Sequence, residues 1–222
     1  MPTIKRNQLF IASCLALLVT SLSFGIRAGL LNTWAHEFGL TQEEIGQQLQ
    51  TSLIGPMIVT RAVLPIMRKQ RSGHIISISS TAGLTSLEFC SAYSASKFGL
   101  EGFMQALQTE VAPFGINTTI VNPGFFRTEL LTEQSTKYAD NPIADYTEKR
   151  EQLMQFWKGA NGQQPGDPAK LAQALITIAN EEKPPLRFLA GADAVATAEQ
   201  VAATLQQQAA AYRELSSSMA FV

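Results

Sequence analysis

Tyr93 and Lys97 stand four residues apart, a spacing that on a helix places phenol and ammonium side by side on one face. A phenol with a pKa of about 10 is a poor acid or base at neutral pH until a neighbouring cation favours its anion. A lysine one turn away is such a cation. Ser80, thirteen residues before Tyr93, carries a hydroxyl that could hold a substrate oxygen against the phenol. The three side chains together could move a proton on or off an alcohol or carbonyl oxygen. Tyr-x-x-x-Lys alone is frequent on solvated helix faces, so its weight depends on the elements that carry it.

Those elements alternate helix and strand, as βα units of a parallel sheet do. Residues 53–69 carry Leu53, Met57, Val59, Ala62, Val63, Ile66 and Met67 at helical spacing and run out at Arg71-Ser72-Gly73. Residues 75–78 form a short β-branched run that reads as a buried strand, and Ser80 follows it directly. Residues 92–111 form a long amphipathic stretch without proline, which places Tyr93 and Lys97 in its first turns. A second strand is expected over residues 117–121, ended by Pro123-Gly124, and a third over 186–189. A helix over 167–179 has Pro168 in its first turn, and an alanine- and glutamine-rich helix covers 192–215. Residues 125–166 show no clear period.

The N-terminal part has another texture. Residues 9–26 (LFIASCLALLVTSLSFGI) are 18 residues without a charge, flanked by Lys5 and Arg6 before and Arg27 after, which is long enough to span a bilayer. A secretory signal and a buried helix are the competing readings, with Ser21-Leu22-Ser23 a weak cleavage site. Thr41 and Glu44 then have the spacing of a capping box at a helix start. The chain is therefore expected to be membrane-associated if residues 9–26 insert and cytoplasmic otherwise.

Composition excludes several classes. The 222 residues are 45% hydrophobic and 16% charged with a net charge of −1, which fits a globular domain and offers no basic field for nucleic acid. Two cysteines, Cys14 and Cys90, make no disulfide framework, and two isolated histidines, His36 and His74, make no metal cluster.

Three segments carry a resemblance: Gly73 to Gly83 (GHIISISSTAG), Tyr93 to Lys97 (YSASK) and Val121 to Thr128 (VNPGFFRT). In this order and spacing they resemble the short-chain dehydrogenases/reductases, over about residues 48–222. The resemblance implies a Rossmann-like α/β fold and hydride exchange between NAD or NADP and a small-molecule alcohol or carbonyl. Ser80 would polarise the substrate oxygen, Tyr93 would donate or accept the proton, and Lys97 would lower the phenol pKa and bind the nicotinamide ribose. Pro123, Gly124 and Thr128 would flank the nicotinamide and its phosphates. Ser52 occupies the place where the family usually has an asparagine holding a proton-relay water. The helices over 53–69 and 92–111 commonly form the family's subunit interface, which implies a homo-oligomer. Phe125, Phe126, Leu130, Leu131, Tyr138, Tyr146, Phe156 and Trp157 would offer an apolar wall to a substrate or simply pack the loop.

Residues 1–46 resemble instead the first helix of a major facilitator transporter. The family's opening strand and Thr-Gly-x-x-x-Gly-x-Gly turn have no match there: Gly25 and Gly29 have the first spacing, but Phe24 and Leu31 stand where Thr and the last Gly belong. A βαβ unit needs upwards of ~30 residues, more than remain beside the apolar run. The expectation is a truncated three-layer sheet, its last three parallel strands retained, preceded by an apolar helix. The adenosine half of the cofactor site is expected to be absent, through the joining of a transporter-like gene start to a dehydrogenase gene end. That leaves two functional readings open, an NAD(P)-dependent oxidoreductase and an inactive, membrane-tethered remnant.

Overall fold

The computed structural model describes residues 46, 48–135 and 144–221. A helix, α1 (Gly55–Gln70), opens on a π-helical turn over Gln50–Ile54 and leads into strand β1 (Gly73–Ile78). Helix α2 (Ser91–Val111) and strand β2 (Ile116–Pro123) follow. After them come α3 (Thr147–Ala160), α4 (Pro168–Asn180), strand β3 (Arg187–Ala190), α5 (Ala192–Ala211) and the short α6 (Arg213–Ser217).

The strands form a parallel sheet in the order β1-β2-β3, with Gly73 opposite Ile116 and Ile120 opposite Arg187 at the start of each register. Side chains alternate across it, as pleating requires. Ile75, Ile116 and Ile120 point to one face and meet Leu100, Met104, Leu107 and Val111 of α2. Those four lie at i, i+4, i+7 and i+11, the spacing that keeps one helix face on the sheet. Leu64 and Met67 of α1 pack against the same cluster. On the other face Val121 and Ala190 meet Leu175 of α4, with Ile76, Ile78 and Leu171 around them. The result is a three-layer α/β arrangement, so the expected sheet of three parallel strands is present.

Two details differ from expectation. The stretch over 125–166 contains α3, a helix with no fully buried residue. Its half-buried positions, Thr147, Arg150, Leu153, Met154, Trp157 and Ala160, do follow a helical period, but the exposed Phe156 and a mostly polar remainder blur it. The helix expected over 192–215 is divided in two, because Tyr212 leaves helical geometry (φ −119°, ψ 17°) between α5 and α6.

The apolar run over residues 9–26, the capping box at Thr41 and Glu44, Cys14, His36 and Tyr138 all lie outside the described residues. Among the described residues no helix is long and apolar enough to cross a membrane.

Candidate active site

In a parallel α/β sheet the functional crevice lies beyond the C-terminal ends of the strands. Ser80 follows the end of β1, and Pro123-Gly124 closes β2. Ser80 is extended (φ −169°, ψ 165°), and its hydroxyl oxygen accepts the Ala82 amide at 3.1 Å, capping the 3-10 turn Thr81–Gly83. With a lone pair so engaged, the hydroxyl proton remains for an outside acceptor.

Tyr93 and Lys97 sit in the first two turns of α2. The Lys97 ammonium lies 5.6 Å from the centroid of the Tyr93 ring and donates to the Ile78 carbonyl at 2.9 Å. Lys97 is 3% exposed, so an amphipathic side chain that ordinarily reaches water is instead drawn to the end of β1, two residues from Ser80. The backbone carbonyl stabilises the buried cation and fixes its place. Lys97 is thus held at the end of β1 that Ser80 follows, with the Tyr93 ring beside its ammonium.

Ser52 lies within the π-helical turn and is 2% exposed, its hydroxyl accepting from the Gln48 side-chain amide. Wide turns of this kind recur at functional sites. The next residue, Leu53, fits against α2 at Gly99, where an added Cβ would come within 2.8 Å of its Cδ2. Ser52 is thus on an element packed directly on the helix of Tyr93 and Lys97.

The segment after β2 is held from two sides. The Gly124 amide donates to the Ala190 carbonyl at 2.9 Å, and the Phe125 amide donates to the Asp193 carboxylate at 2.6 Å. Gly124 must be glycine for this contact, because a Cβ there would run into the Asp193 carboxylate. Phe126 bridges in parallel to Gly166, with Arg127 N–H donating to the Gly166 carbonyl at 2.8 Å. Thr128 caps the 3-10 turn Glu129–Leu131, its hydroxyl accepting the Leu130 amide at 3.3 Å, and stands exposed further out than Pro123 and Gly124.

Aromatic rings gather beside this segment. Phe125 and Trp157 lie 5.6 Å apart, and Phe156 meets Trp157 edge-on at 5.1 Å. Tyr146 contacts Phe89 edge-on at 6.1 Å. The Cys90 thiol near the start of α2 is pushed up in pKa by burial, which keeps it protonated and poorly nucleophilic.

Sequence reasoning gave no role to Asn122, Glu101, Arg187 or Asp193. Asn122 is fully buried, and its amide donates to Glu101 Oε1 at 2.6 Å and to the Ser80 carbonyl at 2.9 Å. Arg187 of β3 approaches Glu101 Oε2 at 2.7 Å, a close ion pair without hydrogen-bond alignment. One signal was present in the sequence: Glu101 stands four residues after Lys97, between Leu100 and Met104 of the apolar period of α2.

Comparison with known proteins supports the α/β fold. The family model described as short chain dehydrogenase matches residues 26–139, just over half of the chain and starting upstream of Gln48. An oxidoreductase of Botryotinia fuckeliana is 34% identical over 189 residues, 85% of this chain and 68% of that protein. A 3-ketodihydrosphingosine reductase of Bacteroides thetaiotaomicron is 38% identical over 161 residues, 68% of this chain and 56% of that protein. The crystal structure of a short-chain dehydrogenase from Streptomyces avermitilis superposes with a TM-score of 0.73 at 32% identity, covering 91% of this chain and 79% of that one. The chain spans about half to two thirds of the length of the first curated relatives it matches. These matches lend no support to the transporter-like reading of residues 1–46.

Proposed function

The chain belongs to the short-chain dehydrogenase/reductase family, and from that premise we propose that it is an NAD(P)-dependent oxidoreductase acting on an alcohol or carbonyl group. The observation that supports this reading most is the buried Lys97 ammonium, drawn to the Ile78 carbonyl beside Ser80 and under the Tyr93 ring. A lysine removed from water at this place has no packing rationale that an apolar residue would not serve better.

The donor set suits the nicotinamide-ribose half of such a cofactor: an ammonium for ribose hydroxyls, and the Pro123-Gly124 turn at the end of β2 to lie against a flat ring. When bound, the cofactor supplies or accepts the hydride. The chain's own residues manage the proton and the orientation. Ser80, its lone pair occupied by the Ala82 amide, donates to the substrate oxygen. Tyr93 delivers its phenolic proton to that oxygen in reduction and takes it back in oxidation. Lys97 favours the phenolate by its charge, bringing the tyrosine closer to working pH. Ser52, in the π-helical turn, stands in the place of the family's relay asparagine, with Gln48 orienting its hydroxyl.

Phe125, Phe156 and Trp157 give the site an apolar side, which favours a substrate with an apolar body. One relative bears the name of a ketone reductase, and reduction of a ketone is the direction carried over here.

Titration of the full chain with NADH and NADPH by calorimetry, followed by turnover assays on a panel of apolar ketones, tests the reading. Saturable binding with turnover abolished in Tyr93→Phe supports it. Absence of binding by folded protein overturns it in favour of a non-catalytic member of the family.

A further inference from the structure

Behind Ser80, on the side of the sheet that faces α2, lies a polar cluster at the edge of the apolar core. Glu101 is 4% exposed and Asn122 is fully buried, while Leu100 and Met104 on the same helix face pack against β1 and β2. A carboxylate in such a setting is costly unless it is paired and hydrogen-bonded. Here it is both. Asn122 Nδ2 donates to Oε1 at 2.6 Å, and the Arg187 guanidinium stands 2.7 Å from Oε2.

The same Nδ2 donates its second hydrogen to the Ser80 carbonyl at 2.9 Å. Both hydrogens of the amide are therefore engaged, and flipping it would bring Oδ1 against two acceptors, so its orientation is fixed. The Ser80 carbonyl receives the Gly83 amide as well, at 3.0 Å. Gly83 also lies against the carboxylate, since a Cβ there would stand 3.0 Å from Glu101 Cγ and 2.7 Å from Ser79 Oγ. The peptide that follows Ser80, and with it the direction of the Ser80 side chain, is clamped from behind.

We propose that Glu101 is a positioning residue of the site: anchored by Arg187 on β3, its carboxylate orients Asn122, which holds the Ser80 backbone in register with Tyr93. This rests on the reading of Ser80 as the residue that binds the substrate oxygen. A buried ion pair can be exchanged for apolar residues of similar volume with little loss of stability, whereas removing one partner alone is damaging. A paired replacement separates positioning from stability.

The test uses the full chain with the double substitution Glu101→Leu and Arg187→Leu, beside Asn122→Leu, which removes the amide that joins the carboxylate to the Ser80 carbonyl. Amide hydrogen exchange at Ala82 and Gly83 reports the Ser80 turn directly, with or without turnover. The double variant is expected to unfold within about 10 °C of the parent, the cost of one Asn122 hydrogen left without its acceptor, while exchange at these two amides rises at least about tenfold, the scale of one lost hydrogen bond. Its kcat on a ketone substrate is expected to fall by a similar factor with the KM for NAD(P)H unchanged. Exchange at the parent rate in the folded double variant overturns the proposal, whatever the turnover. Should the double variant fail to fold, parent-like exchange in Asn122→Leu overturns it equally. Loss of cofactor binding by the parent chain would strike the functional reading instead and leave the exchange result standing.

Discussion

The backbone amide of Phe125 donates to the carboxylate of Asp193 at 2.6 Å, tying the segment after β2 to the first turn of α5. An acidic side chain in the first turn of a helix is favoured by the partial positive charge of the exposed amides there. The carboxylate thus joins a helix terminus, a loop amide and the open side of Gly124. Asp193→Ala is expected to cost about 1 kcal/mol of stability, since the group is partly exposed, and to weaken NAD(P)H binding about fivefold by freeing the Pro123-Gly124 turn. Asp193→Asn, which still offers an oxygen to the amide, should fall between. Unchanged cofactor affinity in Asp193→Ala, measured by calorimetry, would remove this residue from the account of the site.

Met104 is fully buried, and its sulfur accepts the Ser77 hydroxyl at 3.2 Å beneath the sheet. Met104→Ala leaves both a cavity and an unpartnered hydroxyl. A loss of about 3 kcal/mol is expected, against less than about 1.5 kcal/mol for Met104→Leu, which nearly conserves volume. Urea unfolding monitored by circular dichroism distinguishes the two.

Much of this arrangement is legible in the sequence because its determinants are local. The period of Leu100, Met104, Leu107 and Val111 marks α2, the β-branched runs mark β1 and β2, and one helical turn fixes the relation of Tyr93 to Lys97. The polar contacts that aim the site are not local. Phe125 and Asp193 are separated by 68 positions, and Glu101 and Asn122 by 21. The parallel pairing of β2 with β3 brings Arg187 beside Ile120, within reach of Glu101, and Asp193 to the end of β2. Helix α3 escaped notice for another reason: it covers the molecule with half a face, so its apolar residues are too few to show a clean period. Ser52 was visible only through the family pattern, and its partner Gln48 only through the fold.

His74 gives the fold an acid limit. Its Nε2 lies 2.8 Å from the Thr119 hydroxyl, which itself donates to the Pro185 carbonyl at 2.6 Å. The hydroxyl proton being used, Nε2 carries the ring proton of the neutral imidazole. Burial lowers the His74 pKa from 6.5 to about 4. The unfolded chain therefore binds a proton that the folded chain refuses between these values. Stability is unaffected above pH 6.5, falls as the pH drops through this window, and loses no more from this group below about pH 4. The expected loss is of the order of 2 kcal/mol after allowance for partial exposure. His74→Phe should flatten that part of the stability profile, as Thr119 keeps its bond to Pro185. An equally steep profile in the variant would assign the acid limit to other groups.

Tyr93 and Lys97 should separate cleanly under substitution, because one is half-buried with its chemistry at the phenol and the other is buried with its charge on a backbone carbonyl. Tyr93→Phe removes one oxygen and is expected to leave folding and NAD(P)H affinity near the parent values while kcat falls by a factor of about 100 to 10,000, the contribution of a placed acid or base. Lys97→Met also removes the charge that favours the phenolate, so the remaining activity should shift its basic optimum upward, towards the ordinary tyrosine range of about 10. The same substitution leaves the Ile78 carbonyl without the Lys97 donor, which should weaken ribose binding and alter stability together. A pH profile of kcat that keeps its position in Lys97→Met would show that the lysine does not tune the phenol, and would leave its burial beside Ser80 to be explained by cofactor binding alone.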